Sequence, residues 1–113
     1  MPQNDPRVYR RYPIRLPVEL AAGGRVLTLE TEDISQGGCG MVVGFLLQKG
    51  EQVRVRMFAP QLPSEPSGTA TVAWASRQPP FRVGLQFSAE LAAQVAPYLR
   101  ALLGPVPLLT REG

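Results

Sequence analysis

The 113-residue chain is 44% hydrophobic and 19% charged, from which one globular domain with its own core is expected and not two. A net charge of +3 favours an anionic partner without requiring one. One cysteine and no histidine exclude an intramolecular disulfide, most zinc sites, Cys/His nucleophile pairs and Ser-His-Asp triads.

Residues 1–12 are polar and basic and show no apolar periodicity, so they read as a flexible arm. The opening "MPQNDPRVYRRYP" lacks the apolar stretch of a signal peptide, and no run approaches the roughly 20 apolar residues of a membrane helix. A soluble, cytoplasmic protein without membrane insertion is expected. "IRLPVEL" alternates Ile14, Leu16, Val18 and Leu20 against Arg15, Pro17 and Glu19, the period of a half-buried strand, with Pro17 at an edge or bulge. "AAGG" is a turn. In "RVLTLETED", Leu27, Leu29 and Thr31 face one way, and after a glycine-rich segment "CGMVVGFLL" is a short apolar run. "VRVRMF" points Val53, Val55 and Met57 inward and Arg54 and Arg56 outward, near Glu51. "PQLPSEPSG" is a loop. "TATVAWASR" and "FRVGLQFS" form a hairpin across "QPP", in which Trp74 shares the face of Ala70 and Val72 and reads as core.

Beyond Ser88, a fitting N-cap, Leu91, Val95, Tyr98, Leu99 and Leu102 recur at helical spacing, and Pro97 should kink or split that helix. The expected architecture is therefore all-β with a C-terminal helix. A six-stranded antiparallel β-barrel together with that helix is expected over residues 13–104, followed by a loosely ordered tail over 105–113.

Two stretches stand out chemically. Arg7, Arg10, Arg11 and Arg15 cluster near the start, and arginine's planar fork matches phosphates and guanine edges. "DISQGG" then sets Asp33, Ser35, Gly37 and Gly38 together; taken alone it reads first as a turn, with glycines supplying positive φ. It is no P-loop, for it lacks GxxxxGK[ST] and a following helix.

Together, "RVYRR" as RxxxR and "DISQGG" as [D/N]xSxxG, followed by "RVGLQFS" and a helix, resemble the PilZ domain, the bacterial module that senses cyclic di-GMP. The resemblance implies a non-enzymatic receptor with no catalytic residues, metal or cofactor. Its ligand would be held by Arg7, Arg11, Asp33, Ser35 and Gly38, with Arg10 and Gly37 as second choices. The arginines would bind phosphate or the guanine O6/N7 edge, Asp33 would accept from guanine N1–H and N2–H₂, and Gly38 would permit close approach. A second register, Arg11 with Arg15, stays open, as does the number of ligand molecules; Pro6 before the motif favours one. Output is expected through a separate effector protein. The alternatives are a barrel binding RNA or single-stranded DNA, against which the 7% aromatic content speaks, and a PilZ fold that binds only protein.

Cys39 reads as a buried small hydrophobe, and no pocket accompanies the acids Glu30 and Glu32 to suggest catalysis.

Overall fold

The computed structural model describes residues 10–60 and 62–103. Six strands, β1 (Pro17–Ala22), β2 (Arg25–Ile34), β3 (Gly38–Val42), β4 (Gln52–Met57), β5 (Ser67–Ala75) and β6 (Arg82–Phe87), precede one helix, α1 (Ala89–Leu103). The strands close into a barrel in the order β1-β2-β3-β6-β5-β4, with every neighbouring pair antiparallel. Closure leaves no unpaired sheet edge. The barrel with its C-terminal helix is the architecture expected from the sequence.

Alternation drives the closure. In β4, Val53, Val55 and Met57 turn into the barrel while Arg54 and Arg56 stand outside. Val18, Leu20, Met41, Val72, Leu85 and Phe87 fill the interior from the other strands, each worth roughly 1.5–3 kcal/mol when withdrawn from water. On the outside Arg56 meets Glu65 and Glu19, and the Glu51 carboxylate accepts the Gln48 amide. Pro17 opens β1, a position where a missing N–H does least harm. Gly23 and Gly24, with φ of 58° and 78°, make the β1–β2 turn, a conformation that suits hairpin twist.

Helix α1 closes one end of the barrel. Ser88 caps it, its Oγ accepting from Leu91 N and its carbonyl from Ala92 N. Leu91, Val95, Tyr98 and Leu99 face the core, while Leu102 is 40% exposed. Gln94 donates to Ser67 O and accepts from Ser67 N, pinning the helix to the start of β5. The helix is not split at Pro97. The bond that proline forfeits would end on Ala93 O, and both residues lie on the solvent face, where water can satisfy that carbonyl.

The opposite end carries the β1–β2 turn, the 43–51 loop and the β5–β6 turn. Between the two ends, the outer wall of β2, β3, β6 and β5 holds the candidate site.

Candidate functional site

Two β-bulges prepare this wall. Thr31 pairs with Met41 and Asp33 with Gly40, so β2 spends two residues where β3 spends one. Thr31 is fully buried, and strict alternation would turn Asp33 inward as well; the extra residue, Glu32, turns it out. β5 does the same: Val72 pairs with Leu85 and Trp74 with Gly84, leaving Ala73 as the extra residue.

Trp74 is therefore not in the core with Ala70 and Val72. It stands on the outer wall, 50% exposed. The bulge is the physical reason that the inward reading of this tryptophan fails, because simple alternation carries no information about an inserted residue.

The two re-aimed side chains lie in one row. Asp33 pairs with Gly40, Gly40 with Gly84, and Gly84 with Trp74, across four adjacent strands and about 14 Å at the usual strand spacing. The glycines make the row possible. A Cβ on Gly84 would run into the Trp74 indole, and one on Gly40 would come 3.0 Å from Asp33 Oδ1. The indole thus lies on bare backbone, and so does the carboxylate. Gly38 and Gly40 sit in extended β3, and neither has the positive φ anticipated for this segment. Space, and not backbone conformation, explains the glycine at position 40.

The segment before β1 brings a cation to the row. Tyr12 N donates to Ile34 O and Ile34 N to Tyr12 O, a short antiparallel bridge. The buried Thr31 hydroxyl accepts from Leu16 N at 3.0 Å and donates to Ile14 O at 2.6 Å, and Thr31 N donates to Leu16 O. Stitched this way, residues 12–16 deliver Arg11 to Asp33, and its Nη2 lies 2.7 Å from Oδ1. Both side chains remain about one-third exposed. A carboxylate has roughly four lone-pair sites, so this contact leaves Asp33 with acceptor capacity. Arg10 and Arg15 are exposed. Arg7 lies outside the described residues.

Ser35 has a different setting. Its side chain is fully buried, and its Oγ accepts from Gly37 N and Gly38 N and donates to Gly38 O. Ser35 N also bonds Gly38 O, and Gly37 O accepts from Phe87 N. The hydroxyl is what shapes and anchors the 35–38 loop.

Arg82, which the sequence reading does not single out, bounds the row on the side away from α1. It forks onto Glu32, with Nε 3.1 Å from Oε1 and Nη2 3.3 Å from Oε2. The bulge residue Glu32 thus fixes a second arginine beside the glycine floor. Its signal in the sequence was an arginine two residues before Gly84, hence on the same strand face. Beneath the wall, Cys39 faces the core. Burial pushes its thiol up to about 12, with the Asp33 charge adding to the rise and Arg11 opposing it.

Among the described residues no group of three His, Cys, Asp or Glu side chains could hold a metal ion, and no helix is long and apolar enough to cross a membrane.

A family model, PilZ domain, matches residues 5–103. Solved structures share the fold. An inhibitor of motility from Bacillus subtilis superposes with a TM-score of 0.66 at 22% identity, covering 84% of this chain and 50% of that one. The PilZ domain of CeSA from a cellulose-synthesizing bacterium gives 0.62 at 24% identity, covering 84% and 96%. YcgR of Escherichia coli, in complex with c-di-GMP, gives 0.59 at 18% identity, covering 83% and 44%. The chain thus spans half or less of the length of the Bacillus and Escherichia proteins. A search of curated proteins finds no match.

Proposed function

The chain belongs to the PilZ domain family, and from that premise we propose that it is a non-enzymatic receptor for cyclic di-GMP. The carrying observation is the 2.7 Å contact between Arg11 and Asp33, residues from two motifs 22 positions apart. It meets a glycine-floored row that ends on an exposed indole. YcgR, which shares the fold, was solved with this dinucleotide.

In this reading one guanine lies against Trp74. Its N1–H and N2–H₂ donate to Asp33, and Arg11 binds a phosphate or the O6/N7 edge. Arg7, on the same arm, supplies the second cationic fork. Gly38 keeps the loop backbone within reach of the ligand. Ser35 serves by holding the loop's shape, since its hydroxyl already has three partners within the loop. Arg82 sits where it can meet the second phosphate or base after exchanging part of its bond to Glu32.

The site occupies the outer wall because the barrel interior is filled with side chains. A ligand on an open wall needs a cover, and the arginine-bearing arm provides it. Closing the arm around the dinucleotide changes the surface that a separate effector protein meets, and that change is the output.

Isothermal titration of the full chain with cyclic di-GMP tests the proposal, with GTP and cyclic di-AMP as controls. Saturable heat with cyclic di-GMP alone is the expected result, and its stoichiometry counts the ligands. Flat traces for all three nucleotides overturn the assignment. A second reading, single-stranded nucleic acid, has one feature in its favour, the exposed Trp74; oligonucleotide affinity that grows with strand length and falls steeply with salt would mark it.

A further inference from the structure

The barrel end remote from α1 has a composition of its own. Arg25, Lys49 and Arg77 lie there, and none is in an ion pair among the described residues. Glu51, at the end of the 43–51 loop, is half-buried and its carboxylate accepts the Gln48 amide. Apolar side chains stand among these cations: Leu46 is 51% exposed and Val26 65%. Arg25 is stacked on Phe45, 4.7 Å from the ring centroid, which fixes the loop beside the β1–β2 turn.

This end is concave. A socket of about 500 Å³ opens between the 43–51 loop and the end of β5, lined by Leu46, Leu47 and Ala75 together with Gln48, Lys49 and Arg77. Gly50 N donates to Val72 O and Val72 N to Glu51 O, so the loop that walls the socket is tied to β5. A hollow lined in part by apolar side chains and in part by cations that have no ion-pair partner among the described residues suits an apolar side chain flanked by carboxylates. A flat anionic membrane would meet the rim and leave the hollow unfilled.

We propose that this socket docks an acidic segment of a partner protein that inserts a leucine- or phenylalanine-sized side chain between Lys49 and Arg77. Docking itself does not depend on which nucleotide the outer wall binds. Its position gives it a use, because Ala75 directly follows Trp74 on β5, so the end of the candidate ligand row and the socket share one stretch of strand.

The test is a selection of a random peptide library against the full chain, followed by mapping of the best peptide by amide chemical shifts. Enriched sequences should carry Asp or Glu around an apolar residue, and shifts should gather at residues 46–49 and 75–77. Affinity should fall roughly tenfold or more in Lys49→Glu/Arg77→Glu, since two attractive charges become repulsive. Leu46→Asp, also at an exposed position, should weaken the same peptide, which keeps the test alive if the double variant folds poorly. Phosphatidylserine vesicles form a separate arm. No enrichment, peptides without acidic bias, shifts elsewhere, equal binding to both variants, or binding of vesicles in place of peptides each overturns the proposal. Because the selection needs no cyclic di-GMP, its outcome is independent of the nucleotide titration.

Discussion

Gly84→Ala is the sharpest probe of the nucleotide reading, because it alters the site without deleting a side chain assigned to the ligand. The new Cβ lands inside the Trp74 indole, so the ring has to swing off the wall. Base–aromatic stacking is worth about 1–3 kcal/mol, and losing it weakens cyclic di-GMP binding by about 5- to 150-fold. Stability should change little: alanine in place of a strand glycine gains about 0.4–1 kcal/mol from the unfolded chain, against some lost indole packing. Trp74→Ala is the blunter change. It strips a half-buried ring and costs up to about 3 kcal/mol of folding stability from area alone. The chain has one tryptophan, so its emission reports on this position and no other. Saturation with ligand should quench and shift that emission in the parent, and much less in Gly84→Ala. The double variant Trp74→Ala/Gly84→Ala should bind as Trp74→Ala does, since both changes remove one interaction. The stacking argument fails if Gly84→Ala binds within about twofold of the parent while parental emission ignores the ligand.

Other expectations concern the remaining parts of the site. Arg11→Ala should cost about 2–4 kcal/mol of ligand affinity by titration, yet shift urea unfolding by only about 0–1 kcal/mol, as its bond to Asp33 is partly exposed. Thr31→Val keeps the shape but strands Leu16 N and Ile14 O, at about 1–3 kcal/mol each, and should lower the urea midpoint by about 1 M or more. Its ligand affinity should fall as well, because residues 12–16 carry Arg11; unchanged affinity in a destabilised Thr31→Val would show that the stitching does not position the arginine. The Cys39 thiol, raised from 9.0 to about 12, binds its proton more tightly folded than unfolded. Stability is therefore full below pH 9 and declines toward pH 12, by about 1.4 kcal/mol per pH unit at most, and Tyr98, also raised by burial, acts in the same direction. Cys39→Ala should flatten that alkaline limb in pH-dependent unfolding, and a thiol reagent at pH 8 should leave the native parent unmodified.

Strand positions and the closing helix were legible because their residues alternate or recur at the period of the structure they form. β4 shows it most plainly, with Val53, Val55 and Met57 in and both arginines out. The motifs named Arg11 and Asp33 through resemblance, and the structure sets them side by side. Illegible were the features made by insertion. Nothing in "TVAWAS" says that Ala73 is an extra residue, so Trp74 reads as core by parity. Gly40 and Gly84 were invisible for a related reason: their role is to be empty where a neighbouring strand leans, and which strands are neighbours is a property of the closed sheet. Ser35 was legible as a polar motif residue, but its burial follows from the Gly37–Phe87 bond that draws the loop against β6.

The two bulges also bear on why such a barrel can carry a site at all. A closed barrel of this size packs its interior, so a ligand has only the outer wall, which regular alternation covers with outward side chains. Removing side chains at Gly40 and Gly84 opens a shallow floor. Inserting Glu32 and Ala73 turns a carboxylate and an indole out at its two ends and still returns the next residues inward, since Ile34 is buried and Ala75 packs against the core. Each insertion shifts parity once and serves one wall position. In the cyclic di-GMP reading this shallow floor leaves part of the binding energy to groups outside the barrel strands, and the stitched segment supplies one of them in Arg11. Affinity and wall shape are thereby separable. Changes to the floor should alter which base is accepted, whereas changes to the arm should alter how tightly any dianionic dinucleotide is held.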